Sequence, residues 1–502
     1  MPTDEETSVP SPIVGDVHLD RRDFLRIAGA GAGAMLATGC APIIPATTVP
    51  GVVPTRMSTG EGAGHVVVIG AGAWGGWTAY HLRRRGAKVT LIDQYGAANS
   101  KATSGDETRG IRSSYGDRTT GDFWCKWARI AITRWREFDA EWAKAFRTQF
   151  FFETGDVILR ATEEPFIKKT REIWTAQGVK HEVLSGDEAR KRYPMMNNDD
   201  ITIAITEPDA GVVRCRYATQ AVSAIAQNMG AKMIVGRVRP GPIVNGKMDG
   251  VILDDGTVVR GDAYVFACGV WLRKLFPTLM GNRMRIPLGT AFYFGTPEGD
   301  TRFTFPNLPS WNFPGVTGWA ALPVDNRGFR VRGGIAAPPP APAPGSPAPG
   351  SPAPAAGAAA AAPGAARPAG APRPAPPVPA DPRQDDPDTS TRWAGPDRVE
   401  ASRRFVARRF PALADAPVLE SRSCHYEISV NGNFIIDNIP EASNAWVAGV
   451  GQAEGFKFGP VAGEYVAQRV LGTLGDPKVA ESFRIPKDEY EKPSGGDAGD
   501  DL

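Results

Sequence analysis

The chain has 502 residues, with 57 Lys plus Arg against 55 Asp plus Glu and a formal net charge of +2. Charge this evenly mixed offers no basic face for nucleic acid. The histidines (His18, His65, His81, His181, His425) and cysteines (Cys40, Cys125, Cys215, Cys268, Cys424) show no metal-ligand spacing. An odd, sparse cysteine set is also no disulfide framework, so an intrinsic metal centre and a stapled scaffold are both excluded.

The first 20 residues are polar. Asp20-Arg21-Arg22-Asp23-Phe24-Leu25-Arg26 then precedes a weakly apolar, Ala- and Gly-rich run over 27–39. Paired arginines ahead of Phe-Leu and a short apolar run read as a signal of the twin-arginine type, read in turn by the twin-arginine translocase. The run falls short of the roughly 20 residues a membrane-spanning helix needs, and its glycines make it a poor helix of any kind. Leu36-Ala37-Thr38-Gly39-Cys40 resembles a lipoprotein site with a lipid anchor on Cys40, although Ala37 stands where leucine is usual. Simple cleavage near Ala41 is the alternative. The expectation is a signal peptide over 1–40, a flexible linker over 41–63, and an exported, periplasmic protein, membrane-anchored if Cys40 is lipidated.

His65-Val66-Val67-Val68-Ile69 is a β-branched run that predicts a buried parallel strand. It leads straight into Gly70-Ala71-Gly72-Ala73-Trp74-Gly75-Gly76, a helical stretch stopped by Gly86, a second strand over 88–92, and Asp93. This is a complete βαβ dinucleotide unit. Gly70 permits the tight turn, Gly72 the approach of the pyrophosphate, and Gly75 close helix–strand packing. The phosphates belong at the helix N-terminus, and Asp93 is placed to accept from ribose hydroxyls. Further on, 247–260 reads as a hairpin turning at Asp255-Gly256, followed by a strand over 263–267 and Cys268-Gly269. A hairpin returning to a buried strand that ends in small residues favours an FAD-binding fold over an NAD-binding one. The fold class is α/β: a Rossmann-like FAD-binding domain joined to an α+β, mainly antiparallel substrate domain.

Two blocks carry a more specific signal. The first is Ser104-Gly105-Asp106-Glu107-Thr108-Arg109-Gly110-Ile111-Arg112-Ser113-Ser114-Tyr115-Gly116. The second runs from Cys424-His425-Tyr426 through Phe434-Ile435-Ile436-Asp437 to Gly455-Phe456-Lys457-Phe458. From His65 to about Gly475 the chain resembles the monomeric sarcosine oxidase and N-methyl amino acid oxidase group of the D-amino-acid-oxidase-like FAD-dependent oxidoreductases.

The resemblance implies roles. Arg112 and Lys457 become the pair that binds a substrate carboxylate, Arg109 the arginine beside the flavin ring, and Tyr426 an active-site tyrosine. Cys424 matches the cysteine that forms a thioether to the flavin. Ser104, Val238 and Gly269 join Gly70, Gly72, Gly75 and Asp93 as FAD contacts. The implied reaction is hydride transfer from the carbon beside a neutral amine to flavin N5, giving an imine that water hydrolyses. Oxygen or another acceptor then takes the electrons. Alternatives are a dehydrogenase of the same fold that avoids oxygen, and a flavin-binding redox partner without turnover.

The chain also departs from the group's pattern. Gln452-Ala453-Glu454 stands where Ser-Gly-His is usual, Arg330 replaces the oxygen-activating lysine, and Trp319-Ala320-Ala321 alters the substrate wall. The resulting domain expectation is an FAD-binding domain over 64–115, 215–282 and 419–475. The substrate domain takes 116–214, 283–335 and 384–418. Residues 336–383, nearly all Pro, Ala and Gly, cannot bury a core and read as a disordered insertion. Residues 476–502 read as a tail.

Overall fold

The computed structural model describes residues 64–323, 327–333, 386–473 and 476–490. The signal peptide, the linker and the Pro/Ala-rich insertion therefore lie outside the described residues. Those described belong to one compact unit, Thr47–Leu502, and none of their helices is long and apolar enough to cross a membrane.

The β-branched run His65–Ile69 forms a strand buried on both faces. It is a middle strand of a six-stranded sheet in the order Ile435–Ile439, Ala442–Gly449, Ala263–Phe266, His65–Ile69, Lys88–Asp93, Lys232–Val235. Every neighbouring pair is parallel except the first, an antiparallel hairpin. Helix Ala73–Arg84 follows the first strand and packs against helices Cys215–Asn228 and Gly459–Val470. The last contact is close because Gly463 faces Trp77, where a Cβ would stand 2.5 Å from the indole's own Cβ. The expected turn at Asp255-Gly256 exists, but it joins Val251–Leu253 to Val258–Val259. Val238–Pro240 completes that small sheet.

The second sheet has eight strands in the order Val418–His425, Leu288–Phe294, Phe329–Gly333, Val316–Trp319, Ser310–Phe313, Asp156–Arg160, Ile203–Glu207, Glu182–Ser185. It is antiparallel apart from the Ser310–Phe313/Asp156–Arg160 pair. Its outer core is aromatic, with Trp311 stacked on Phe329 and on Phe405 and packed against Phe410.

Three boundaries differ from the sequence expectation. Val418–His425, assigned above to the nucleotide domain, is the edge strand of the second sheet, because its backbone groups pair along Leu288–Phe294. Helix Gly121–Phe146, assigned to the substrate domain, turns its Trp124, Ala128, Trp135 and Phe138 stripe into the core beneath the first sheet. There it meets Trp77, Phe434 and Phe456. The tail is structured as far as residue 490. Helix Pro477–Ser482 leads into Phe483, fully buried among Trp124, Trp127 and Phe434. The Ile436 N–H donates to the Phe483 carbonyl at 2.9 Å.

Truncating this aromatic anchor, Phe483→Ala, is expected to cost about 3–5 kcal/mol of unfolding free energy. Urea denaturation measures it, and Phe483→Leu, which keeps most of the apolar volume, should cost clearly less.

Candidate active site

A long groove opens along the carboxyl ends of the first sheet's strands. Gly70, Gly72, Asp93, Ser104, Val238 and Gly269 line it together with Arg109, whereas the other two predicted cofactor contacts, Gly75 and Cys424, do not. Gly70 sits at φ +99°, and a Cβ there would collide with the Ala267 carbonyl. A Cβ on Gly75 would collide with the carbonyl of Gly70. Gly75 therefore does not face the groove; it lets the helix start directly under the loop. Gly72, the N-cap, makes no side-chain cap, which leaves helix N–H groups for an anion. Asp93 is already partly engaged: its Oδ2 accepts from the Ala71 N–H at 2.8 Å and its Oδ1 from the Tyr95 N–H at 2.9 Å. Bare backbone at the helix start, with a carboxylate at the end of the second strand, fits a dinucleotide bound through its phosphates and ribose.

Beyond the groove lies a buried ionic knot around Asp106, which is 1 % exposed. Its carboxylate pairs with Arg109, takes Arg330 Nη2 at 2.9 Å, and accepts the Tyr293 hydroxyl at 2.8 Å. Burial would raise its pKa, but the Arg109 and Arg330 guanidiniums outweigh that and hold it far below the usual carboxylate range. Arg330 is stacked 4.2 Å from the Trp319 ring centre, and Trp319 Nε1 donates to Thr108 Oγ1 at 3.0 Å. Arg330 stands where the resembled group has its oxygen-activating lysine, a replacement that leaves the electron acceptor open, although a fixed cation there would still assist oxygen reduction. The structure instead commits most of its fork to Asp106 and Tyr293, leaving Nη1 as its one buried nitrogen without a partner.

Arg112 and Lys457 do come together, from segments far apart in sequence. Lys457, 5 % exposed, donates to Tyr115 Oη at 2.8 Å and to the Arg112 backbone carbonyl at 3.4 Å. The Arg112 guanidinium makes no hydrogen bond or ion pair with the described residues. Glu454 approaches Lys457 Nζ to 3.5 Å and Arg118 to 3.7 Å. Burial pulls Lys457 down to about 8, opposed by Glu454 and reinforced by Arg112. Burial likewise pushes Glu454 up, but Lys457, Arg118 and Arg112 overcome it and hold it at about 2. Behind them Glu207 accepts from the Ser113 N–H at 2.8 Å and its hydroxyl at 2.5 Å, and burial raises it to about 7.

Cys424 is a buried free thiol with Arg109 Nη2 3.9 Å from its Sγ. Tyr426 follows the edge strand, its N–H donating to the Pro287 carbonyl at 3.0 Å, and its ring lies beside Arg332. Several groups here were not singled out as site residues from the sequence. Asp106 lay inside a recognised block but carried no role. Glu427, next to Tyr426, lines the groove, accepts from the Gly451 N–H at 3.3 Å and is raised by burial to about 6. Asp388 belongs to a segment assigned to the substrate domain, yet it lines the groove rim. There it accepts from the Tyr95 hydroxyl and Trp271 Nε1, both at 2.8 Å, and pairs with Lys274 at 2.7 Å. No local pattern announces it, because its partners come from elsewhere in the chain. Among the described residues no cluster of His, Cys, Asp and Glu could hold a metal ion.

Residues 65–469 match the DAO family, described as FAD dependent oxidoreductase. The chain is similar to a monomeric sarcosine oxidase of Bacillus sp. (strain B-0618), 25 % identical over 81 % of this chain and 92 % of that protein. It is also similar to an N-methyl-L-tryptophan oxidase of Citrobacter koseri, 23 % identical over 81 % and 94 %. Among solved structures, glycine oxidase from Geobacillus kaustophilus shares the fold, with a TM-score of 0.62 at 17 % identity over 85 % of this chain and 99 % of that one.

Because the Lys457 cation is lost as pH rises through about 8, binding of a carboxylate ligand such as (methylthio)acetate to the loaded protein should hold below that pH and weaken above it. Glu454→Gln removes the anion that keeps Lys457 charged, so the loss should move to lower pH. Affinity near pH 6 should rise roughly tenfold as a like charge disappears. Titration followed through the cofactor's visible spectrum measures both.

Proposed function

The chain belongs to the family of FAD dependent oxidoreductases, and from that premise we propose that it oxidises the carbon–nitrogen bond of a small amine or amino acid bearing a carboxylate. The observation that carries this reading is the convergence of Lys457 and Arg112 within one buried site, next to the groove lined by Gly455 and Phe456. Two cations from separate segments bind an anion and also orient it, and orientation is what hydride transfer demands. The similar sarcosine and N-methyl-L-tryptophan oxidases agree with this substrate class.

FAD, when bound, supplies the acceptor for the hydride that leaves the carbon beside the amine, and the resulting imine is hydrolysed by water. The chain's own residues do the rest. Gly70, Gly72 and the start of helix Ala73–Arg84 hold the phosphates, and Asp93 steadies the loop and faces the ribose. Arg109 keeps positive charge at the inner end of the groove. Lys457 and Arg112 anchor the carboxylate, and Tyr115 holds Lys457 in place.

Two finer assignments belong to the same proposal. Cys424 is the attachment point for covalent flavin, supported by its burial and by Arg109 3.9 Å from its sulfur. The protein is exported through its twin-arginine segment, with Cys40 as a lipid anchor or cleavage near Ala41. A second reading concerns the electron acceptor. Arg330 is spent on Asp106 and Tyr293, which favours a carried acceptor over oxygen, and stopped-flow reoxidation distinguishes the two.

Acid precipitation of the loaded protein should leave yellow flavin on the polypeptide, and Cys424→Ser should release it. Lys457→Met should lower kcat/KM by roughly 10- to 100-fold with flavin content unchanged, the scale of a lost charge-assisted hydrogen bond. If no carboxylate-bearing amine bleaches the flavin anaerobically, the reading fails.

A further inference from the structure

We propose that the substrate carries a second carboxylate and that Arg332 receives it, so that the substrate class is a dicarboxylic amine or amino acid. This rests on the amine-oxidation reading above and narrows it.

Arg332 lies on strand Phe329–Gly333, opposite Ala291 on one neighbour and Thr317 on the other. It shares a sheet face with Arg330, two residues and about 6.7 Å away along the strand. Its guanidinium carbon is 5.7 Å from the Tyr426 ring centre. Gly289, paired with Cys424 across the sheet, leaves the space beside it open. A Cβ on Gly289 would come within 3.0 Å of Arg332 Nη2 and 3.2 Å of the Tyr426 ring. Arg332 therefore stands at the wall formed by Tyr426 and Cys424, on the same side as Trp319 and Arg330.

Its charge is unbalanced. Arg109 and Arg330 share Asp106, and Arg327 has Glu107 and Glu420. The Arg332 guanidinium makes no hydrogen bond or ion pair with any described residue. Burial, with Arg109 and Arg330 close by, presses its pKa below the usual arginine value. A guanidinium held among other guanidiniums without a counter-ion is costly, and an arriving carboxylate relieves that cost. The planar fork also suits a carboxylate in two-point contact. A Cβ on Gly110 would lie 3.7 Å from Arg112 Nη1 and 3.1 Å from the Trp319 ring, on which Arg330 stacks, so Arg112 and the face carrying Arg330 and Arg332 flank the same tryptophan. With Arg112 and Lys457 on the first carboxylate, Arg332 serves the far end of the same molecule.

The test uses the flavin-loaded protein and two thioethers that cannot be oxidised as amines: (methylthio)acetate with one carboxylate, and thiodiacetate with two. Perturbation of the visible flavin spectrum reads binding. Thiodiacetate should bind about tenfold tighter, the scale of one charge-assisted contact. Arg332→Gln should abolish that preference while leaving the (methylthio)acetate Kd and the flavin midpoint potential unchanged. Arg332→Lys, which keeps the charge but loses the fork, should retain part of the preference and serves as the variant if the glutamine form does not load flavin. Equal Kd values in the unmodified protein, or a preference that survives Arg332→Gln, overturn the second-carboxylate inference alone. So does a midpoint shift with the preference intact, which would assign Arg332 to the cofactor. If neither thioether perturbs the flavin, the amine-oxidation reading itself fails.

Discussion

Asp106 receives groups from both halves of the molecule. Arg109 reaches it from the strand that follows the nucleotide unit, Arg330 and Tyr293 reach it from the eight-stranded sheet, and the Cys215 thiol donates to its backbone carbonyl at 2.6 Å from the start of a helix under the first sheet. A buried carboxylate satisfied by two guanidiniums and a phenol is tolerable only as a set, since removing one member leaves the others desolvated and unpaired. The knot thus fixes how the groove of the first sheet meets the face of the second. Asp106 holds Arg109 and Arg330 directly, and those two guanidiniums lie against Cys424 Sγ and the Trp319 ring.

Charge in the site is arranged as an imbalance. Around Asp106 the arginines outnumber the acid, whereas around Lys457 the acid Glu454 lies 3.5 Å from the ammonium and keeps it ionised near neutrality. Glu454 stands where the resembled group has histidine. It offsets the positive charge of Lys457, while the Arg332 guanidinium leaves positive charge beside Tyr426 with no carboxylate among the described residues to pair it. On the reading proposed above, this distribution favours a ligand with carboxylates at both ends over one with a carboxylate at a single end.

Backbone proximity sets the cofactor groove. Gly70 and Gly75 are glycines because carbonyl oxygens occupy the space a Cβ would need, and Gly463 brings a second helix onto the first because Trp77 and the Thr78 backbone nitrogen fill the corresponding space there. The groove rim is completed by Asp388, which gathers Tyr95, Trp271 and Lys274 after the chain returns from the Pro/Ala-rich stretch.

Much of this was legible along the chain. The order of strand, glycines, helix and acid is local, as are the two blocks that contain Arg109, Arg112, Cys424, Tyr426 and Lys457. Local chemistry survives folding because turn geometry and hydrophobic periodicity act over a few residues. Partnership was not legible. That Val418–His425 would edge the second sheet, that Arg330 would be consumed by Asp106, that Asp388 would close the groove and that Arg332 would have no counter-ion all depend on contacts between distant segments. Local order along the chain set the fold class, the dinucleotide unit and the supply of cations. Which of those cations are neutralised and which stay unpaired was settled by folding, because that depends on which carboxylates are buried within reach.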